Sequence, residues 1–321
     1  MELPMRYWKK TGLGPVFFGD NIIGFLSTRT SMLTHQRIQQ LLDTALELSV
    51  PIEGYRAAIG GSINEAYLVS LRDGRRLFLK THRNGSIPGM YAAEFRALEL
   101  LSEPGHITVP RPLYADEDFL VMEAFEEGVP AYDWQEQVGR GLARLHQATR
   151  QKHFGFDTDN YLGQTLQPNT WQEQWILFWQ QQRLGYQLEL LRGKVSKEDP
   201  LVIAVMRLLD ALDDVLASDQ EPAVLLHGDL WSGNAAANTK GQPVIFDPAS
   251  YYGHREAELG MMRLFGGFGV HCEAAYQEVW PFQPGFNRRI DVYRLYHQLN
   301  HLNLFGGGYY SGCLDTARGL L

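Results

Sequence analysis

Cysteine is scarce in this chain of 321 residues: Cys272 and Cys313 are the two it carries, too few for a disulfide framework, and no CxxC pair or Cys/His cluster points to zinc. Long apolar runs are missing too. No segment approaches the roughly 18 consecutive apolar residues that a membrane-spanning helix needs. Asp20 and Asn21 interrupt the apolar stretch after Lys9 and Lys10, and no clean small-residue cleavage site follows it. A reducing, cytoplasmic compartment is expected. Positive charge is not in excess: 29 basic against 37 acidic side chains give a formal charge of −8, so neither a nucleic-acid nor a membrane partner is expected. Internal repeats and low-complexity tracts are also lacking. What remains is ordinary globular composition, with 45% apolar and 21% charged residues, and a length that suits about two domains or lobes.

Residues 1–31 are rich in Gly, Pro and Thr without periodicity. Met32 is a candidate natural start, which makes 1–31 a loosely attached extension. Thr34 is the expected N-cap of a first helix, HQRIQQLLDTALEL. From Tyr55 to His82 the runs YRAAIGG, NEAYLVSL and RRLFLKTH read as three strands, the last two joined by a turn at Arg72-Asp73-Gly74-Arg75. A helix from about Gly89 to Leu101 follows, with Met90, Phe95, Leu98 and Leu101 as its inward stripe. LYADEDFLVMEAF adds two strands around Asp116-Glu117-Asp118. These elements predict an α+β chain: a small antiparallel-sheet lobe over 32–125 and a mainly helical lobe over 126–321. Helices are expected at about 133–149, 169–192, 198–217, 255–265, 272–280 and 287–304. Between them, Val224 to Leu226 and Val244 to Phe246 are two short apolar runs that each lead into a polar cluster.

Those clusters carry the chemistry. Phosphoryl transfer needs a carboxylate beside the attacking hydroxyl and oxygen ligands for a magnesium ion that bridges ATP phosphates. Asp229 and Asn234, in HGDLWSGN, lie five residues apart as in a kinase catalytic loop, and Asp247 follows Asn234 by thirteen, directly after an apolar strand. Asn234 and Asp247 are the expected metal ligands, and Mg²⁺ suits so sparse an oxygen donor set. Each fragment alone also reads as a strand-end turn whose Asp satisfies local amides. The first lobe supplies a second half. Gly60-Gly61-Ser62 lies between two strands, where backbone amides can approach phosphate, although the motif is also that of a plain hairpin. Lys80 ends the strand LFLK and Glu94 on the next helix is its natural partner, while Glu123-Ala124-Phe125 falls at the junction of the lobes, where backbone groups meet adenine.

HGDLWSGN, FDPASYYGHREAELGMMRLFGGF and YRLYHQLNHLNLFGGGYY closely resemble the fructosamine-3-kinase family, also called ketosamine or ribulosamine kinases, from about residue 34 to the end. The resemblance implies a bilobal protein-kinase-like fold and ATP-dependent phosphorylation of a sugar-derived ketosamine on a hydroxyl, usually that of the third carbon. Enolisation then makes the phosphate an allylic leaving group, and the amine is released. It also implies that Asp229 orients and deprotonates the acceptor, that Asn234 and Asp247 hold magnesium, and that Lys80 with Glu94 fixes the ATP phosphates. A small-molecule or protein-bound ketosamine is the implied partner, and a monomer is expected. Aminoglycoside and choline phosphotransferases share the HGD…N and FD steps, and a catalytically silent nucleotide-binding module is the remaining alternative.

Two positions depart from the wider kinase pattern. Trp231 stands where many protein kinases carry a lysine near the transferring phosphate, as it does in the family this chain resembles, and its ring is a candidate stacking surface for the sugar. Ser62 occupies a position where some family members carry a cysteine able to pair between molecules, so no such switch is expected. His146 reads as a hydrogen-bonded structural histidine, and Glu256 and Glu258 as a solvated helix face, with Glu258 an alternative cap for the loop. His297, Asn300, His301 and Asn303 share one stretch at spacings of three and four, and His297 is the residue placed against the acceptor. Trp171, Trp175, Phe178 and Trp179 fit helical core spacing.

Overall fold

The computed structural model describes residues 33–47, 49–58, 64–83, 85–216 and 221–321. The expected extension 1–31 and the glycine loop Gly60, Gly61 and Ser62 lie outside the described residues.

Thr34 caps the first helix, α1 (His35–Leu46): its backbone is extended and its hydroxyl accepts the Arg37 N–H at 3.2 Å. Ile38, Leu41 and Leu42, at helical spacing, are buried. Five strands follow, β1 (Ile52–Ala57), β2 (Asn64–Leu71), β3 (Arg76–His82), β4 (Pro112–Ala115) and β5 (Phe119–Glu123), in one antiparallel sheet of order β1-β2-β3-β5-β4. Gly74 closes the β2–β3 turn at φ +89°, a left-handed conformation in which a Cβ is strained.

Strand alternation decides what each face meets. Leu77 and Leu79 of β3, with Tyr67, Val69, Phe119 and Val121, pack under the apolar stripe of α1. The alternate residues Phe78 and Lys80, with Leu120 and Met122, face the opposite way, toward α2 (Met90–Ser102). Lys80 therefore points from the middle of the sheet toward α2 because of its register. On that helix Met90, Leu98 and Leu101 are buried as expected, joined by Tyr91, Ala97 and Glu94, while Phe95 is only partly buried.

The second lobe is mainly helical and holds one large core. It comprises α3 (Trp134–Ala148), the hairpin β6 (Asn160–Leu162) and β7 (Thr165–Gln167), α4 (Trp175–Gln182), α5 (Leu184–Arg192), α6 (Pro200–Asp210) and α7 (Leu212–Val215). After these come β8 (Val224–Leu226), β9 (Ala235–Ala237), β10 (Pro243–Ile245), β11 (Tyr251–Gly253), α8 (Glu256–Leu264), α9 (Val270–Val279), α10 (Phe286–Phe305) and α11 (Tyr310–Leu320). The whole is the bilobal α+β arrangement of protein-kinase-like enzymes. No helix among the described residues is long and apolar enough to cross a membrane.

Several boundaries differ from expectation. The helix expected over 169–192 is two helices preceded by extended chain. Its break is Arg183, at φ −121° and ψ −91° and fully buried. Its guanidinium donates to the carbonyls of Pro168 at 2.6 Å and Gln182 at 2.9 Å and lies over the Tyr251 ring at 4.0 Å. Trp171 consequently lies outside the helix and is partly exposed, whereas Trp175, Phe178 and Trp179 are core. The helix expected over 198–217 begins after the Asp199 cap and turns at Ala211. The β6–β7 hairpin, β9, β11 and α11 have no counterpart in the expected elements. The short strands β6, β7, β9 and β11 lack the run of large apolar residues that marks β8 and β10.

Candidate active site

Lys80 Nζ lies 2.7 Å and 2.9 Å from the two carboxylate oxygens of Glu94 and 2.6 Å from Asp247 Oδ1. Residues separated by 167 positions in the chain thus meet at one buried ammonium. Burial alone drives the Lys80 pKa down, but the carboxylates of Asp247 and Glu94 more than reverse this, and the ammonium stays charged. Burial pushes the Glu94 carboxyl upward while Lys80 pulls it back.

The second cluster forms where β8 ends. Gly228 adopts φ +81°, and a Cβ there would overlap the carbonyl oxygen of Ala249. The glycine lets the His227–Asp229 turn touch the segment that follows Asp247. His227 is buried, and burial holds its imidazole pKa down. Its Nε2–H donates to the Phe246 carbonyl at 2.9 Å, leaving Nδ1 to accept the Asp229 N–H at 3.3 Å. A neutral imidazole with one fixed tautomer therefore links the two segments. Beneath them Glu258 accepts the N–H groups of His227 at 2.6 Å and Gly228 at 3.0 Å.

Glu256 and Glu258 do not form a solvated face: both are buried, Glu258 under this turn and Glu256 in an ion pair with Arg289 at 2.6 Å. Their spacing from Arg255 and Arg289 in the sequence gives no sign of this. His146 donates to or accepts from the Tyr276 hydroxyl at 2.8 Å, and its Nε2 lies 3.8 Å from Glu258.

Asn234 Nδ2 donates to the Asp229 carbonyl at 2.8 Å, to Asp229 Oδ2 at 3.1 Å and to the Asp247 carbonyl at 3.4 Å. The amide nitrogen is thereby committed, and Oδ1 is the atom that can face a cation. Desolvation and the Asp247 carboxylate raise the Asp229 pKa well above the ordinary range, against the Asn234 hydrogen bond that lowers it. Lys80 is the cation whose field reaches Asp229. Beside Asp229, Asn234 and Asp247 thus offer an amide oxygen and a carboxylate, a hard-oxygen pair that fits magnesium completed by phosphate and water. Among the described residues no group of three or more His, Cys, Asp or Glu side chains makes an all-protein metal cage.

From Asp247 a cavity of about 250 Å³ runs outward between the lobes. Phe78 and Met122 of the sheet line one wall, Phe246 another, and Glu123, Ala124 and Phe125 line the connecting strand end. This part of the cavity, a slot lined by Phe78, Met122 and Phe246 and reaching residues 123–125, suits a purine ring. Arg76, Glu126 and Glu127 line its outer part, where Arg76 pairs with Glu126 at 2.8 Å. The Glu123 side chain points away to Arg111, so only its backbone belongs to the slot. Arg56 and Arg76, which the sequence reading did not single out, line the slot because β1 and β3 lie over it.

On the other side of Asp229, Trp231 is half-buried and meets Phe265 edge-on at 5.8 Å. Phe265 in turn meets His301 at 4.8 Å. His297 is nearly fully buried, burial pushes its pKa down to about 3, and its Nδ1 has no partner among the described residues. Asn300 and Asn303 tie helices together instead: Asn300 Oδ1 accepts from Gln187 at 3.2 Å, and Asn303 Nδ2 donates to the Gln187 carbonyl at 3.0 Å.

Known proteins resemble this chain over most of its length. A probable ketoamine kinase of Synechocystis is 40% identical over 279 residues, covering 85% of this chain and 92% of that protein. A chloroplastic protein-ribulosamine 3-kinase of Oryza sativa subsp. japonica is 42% identical over 271 residues, 82% of this chain and 78% of its own. A crystal structure from Thermobifida fusca that carries the fructosamine-3-kinase name superposes with a TM-score of 0.80 at 33% identity, over 88% of this chain and 98% of that one. The sequence model of one family, fructosamine kinase, matches residues 34–321, and to that family this chain belongs.

Proposed function

We propose that this protein is an ATP-dependent ketosamine kinase that phosphorylates a hydroxyl, that of the third carbon, on fructosamine- or ribulosamine-type adducts. The observation that carries the reading is the convergence of Lys80, Glu94 and Asp247 at one end of the interlobe slot, with Asp229 and Asn234 beside them. The names of the rice and cyanobacterial relatives supply the acceptor class.

In this reading adenine occupies the slot against Ala124, and the Lys80 ammonium, oriented by Glu94, exchanges Asp247 for phosphate oxygens. Gly60, Gly61 and Ser62 complete the phosphate site. Asn234 Oδ1 and Asp247 hold a divalent cation, Mg²⁺ by the chemistry of the donors, which when bound neutralises charge on the phosphates. Asp229 accepts the proton of the acceptor hydroxyl as its oxygen bonds to the γ-phosphorus and the bond to the departing ADP oxygen breaks. Burial and the Asp247 carboxylate raise its pKa, which makes the ionised carboxylate a stronger proton acceptor. Trp231 offers its ring to the sugar. Because positioning and charge neutralisation provide most of the acceleration, the rigidity of the turn at 227–229 matters as much as the carboxylate itself. The product ketosamine phosphate enolises, loses phosphate, and is hydrolysed to the free amine.

The test is ³¹P NMR of purified protein with ATP, Mg²⁺ and a panel of ribulosamines, fructosamines and aminoglycosides. A new phosphomonoester signal with a ketosamine is expected. Turnover restricted to an aminoglycoside would overturn the acceptor assignment.

A further inference from the structure

Asp247 adopts φ +58°, and among the described residues only one other non-glycine residue, Glu47, has a positive φ. Such a backbone persists only where its surroundings over-determine it. Upstream, Phe246 N–H donates to the Asn234 carbonyl at 3.0 Å and the Phe246 carbonyl accepts from His227. Downstream, Ala249 N–H donates to the His227 carbonyl at 2.9 Å, and the carbonyls of Ala249 and Ser250 are held by two amide side chains of the β6–β7 hairpin. Gln167 Nε2 reaches Ala249 at 3.1 Å, and Asn160 Nδ2 reaches Ser250 at 2.7 Å. Both side chains are almost fully buried.

The direction of every bond in this network is set from one end. Arg183 has only donors to offer. Its Nη2 donates to Asn169 Oδ1 at 2.7 Å, which turns Asn169 Nδ2 toward Asn160 Oδ1 at 3.0 Å and leaves Asn160 Nδ2 for Ser250. Gln167 follows from the same end: Asn160 Oδ1 can only accept, so Gln167 turns its Nε2 to it at 2.7 Å and to Ala249, and its Oε1 is left to accept from the Tyr296 hydroxyl at 2.8 Å. A buried polar network with this many fixed orientations holds its carbonyl targets in one place.

We infer that the hairpin amides Gln167 and Asn160, with Tyr296 behind them, are positioning residues that hold Asp247 in its left-handed conformation and so set how tightly the nucleotide-bound divalent cation is held. This rests on the reading of Asp247 as a metal ligand. Without Gln167, residues 248–250 lose one anchor, and Asp247 can relax to a negative φ that turns its carboxylate out of the place where it now meets Lys80.

Calorimetric titration of the full chain with ADP, with and without Mg²⁺, tests this without relying on turnover. Gln167→Met keeps the length and apolar volume but removes every hydrogen bond. It should lower the enhancement of ADP affinity by Mg²⁺ about fivefold, the effect of one hydrogen bond, and leave the metal-free affinity unchanged. Tyr296→Phe should lower the enhancement in the same direction by less. A Gln167→Met protein that unfolds cooperatively yet retains the wild-type enhancement overturns the inference. Should that variant fail to fold, an unchanged enhancement in Tyr296→Phe does the same. A general structural lesion would weaken ADP binding with and without metal alike, and that result also counts against the inference. A wild-type protein whose ADP affinity ignores Mg²⁺ would instead remove the metal reading of Asp247.

Discussion

Glu258 holds Gly228 by its backbone: Oε1 accepts the Gly228 N–H at 3.0 Å while Oε2 accepts that of His227 at 2.6 Å, all of it buried. Removing the carboxylate strands two buried amides at about 1–3 kcal/mol each. Glu258→Ala should therefore lower the unfolding free energy by at least about 2 kcal/mol in urea titration and reduce kcat. Glu258→Gln should recover only part, because its amide nitrogen meets one of the two N–H donors. A Glu258→Ala protein as stable as the wild type would contradict this role.

Gly228 itself is fixed by contact and by conformation. At φ +81°, with the Ala249 carbonyl against the place of a Cβ, alanine must push the 227–229 turn away from the segment after Asp247. A displacement near 1 Å at reacting groups costs on the order of 10²-fold in rate. Gly228→Ala should lose about that much kcat in a steady-state assay while retaining a folded far-UV spectrum. Wild-type kcat in this variant would show that the turn tolerates the shift.

The residues that carry chemistry were legible in the sequence because their types and order are constrained by the reaction, whereas those that hold them were not. Lys80 and Glu94 were readable as a strand-end lysine followed by a helix glutamate, and their meeting at 2.7 Å follows from strand alternation. Asp229, Asn234 and Asp247 were readable as an ordered set at kinase spacing. Glu256 and Glu258 read by default as solvated because two acids in a helical first turn are usually exposed; of the two readings offered for Glu258, the loop cap is the one the structure shows. Arg183 was hidden inside a helical pattern that continues on both sides of it. At the break its guanidinium is held by a tertiary partner, the Pro168 carbonyl, which no local pattern reveals. The β6–β7 hairpin was invisible for a similar reason, since Asn160 and Gln167 act through contacts 90 and 82 residues away.

The ion pair of Lys80 with Glu94 is buried on both sides, and breaking such a pair costs about 3–5 kcal/mol because one charge is left without its partner. Burial already pushes the Glu94 carboxyl up, so loss of the ammonium lets it take a proton, and the lower end of that range is expected. Lys80→Met should thus lose about 3 kcal/mol of stability together with most turnover. Adding Glu94→Gln should restore most of the stability and none of the activity. Guanidinium titrations of the two variants decide this, and equal stability of single and double variants would exclude a stranded Glu94 as the cause.

Asp229 links activity and stability through pH in opposite senses. Its pKa is raised in the folded chain, chiefly by desolvation and then by the Asp247 carboxylate, so the folded state binds the proton more tightly than the unfolded state does. The protonated group therefore favours folding at low pH, and this contribution is lost as pH rises through the folded pKa, leaving a buried charge above it. Catalysis needs that charge. Asp229→Asn keeps the Asn234 contact geometry without the charge, and should lower kcat by roughly 10²–10⁴ while leaving ATP affinity little changed. It should also raise the thermal midpoint at neutral pH, with the gain shrinking as pH falls below the folded pKa and vanishing near the ordinary carboxylate range. In the wild type, kcat/KM for the ketosamine should fall on the acidic side as Asp229 takes up its proton. Paired thermal melts and rate profiles on the same buffers read both effects. A variant that is catalytically dead and destabilised at neutral pH would place the role of Asp229 in packing instead of proton transfer.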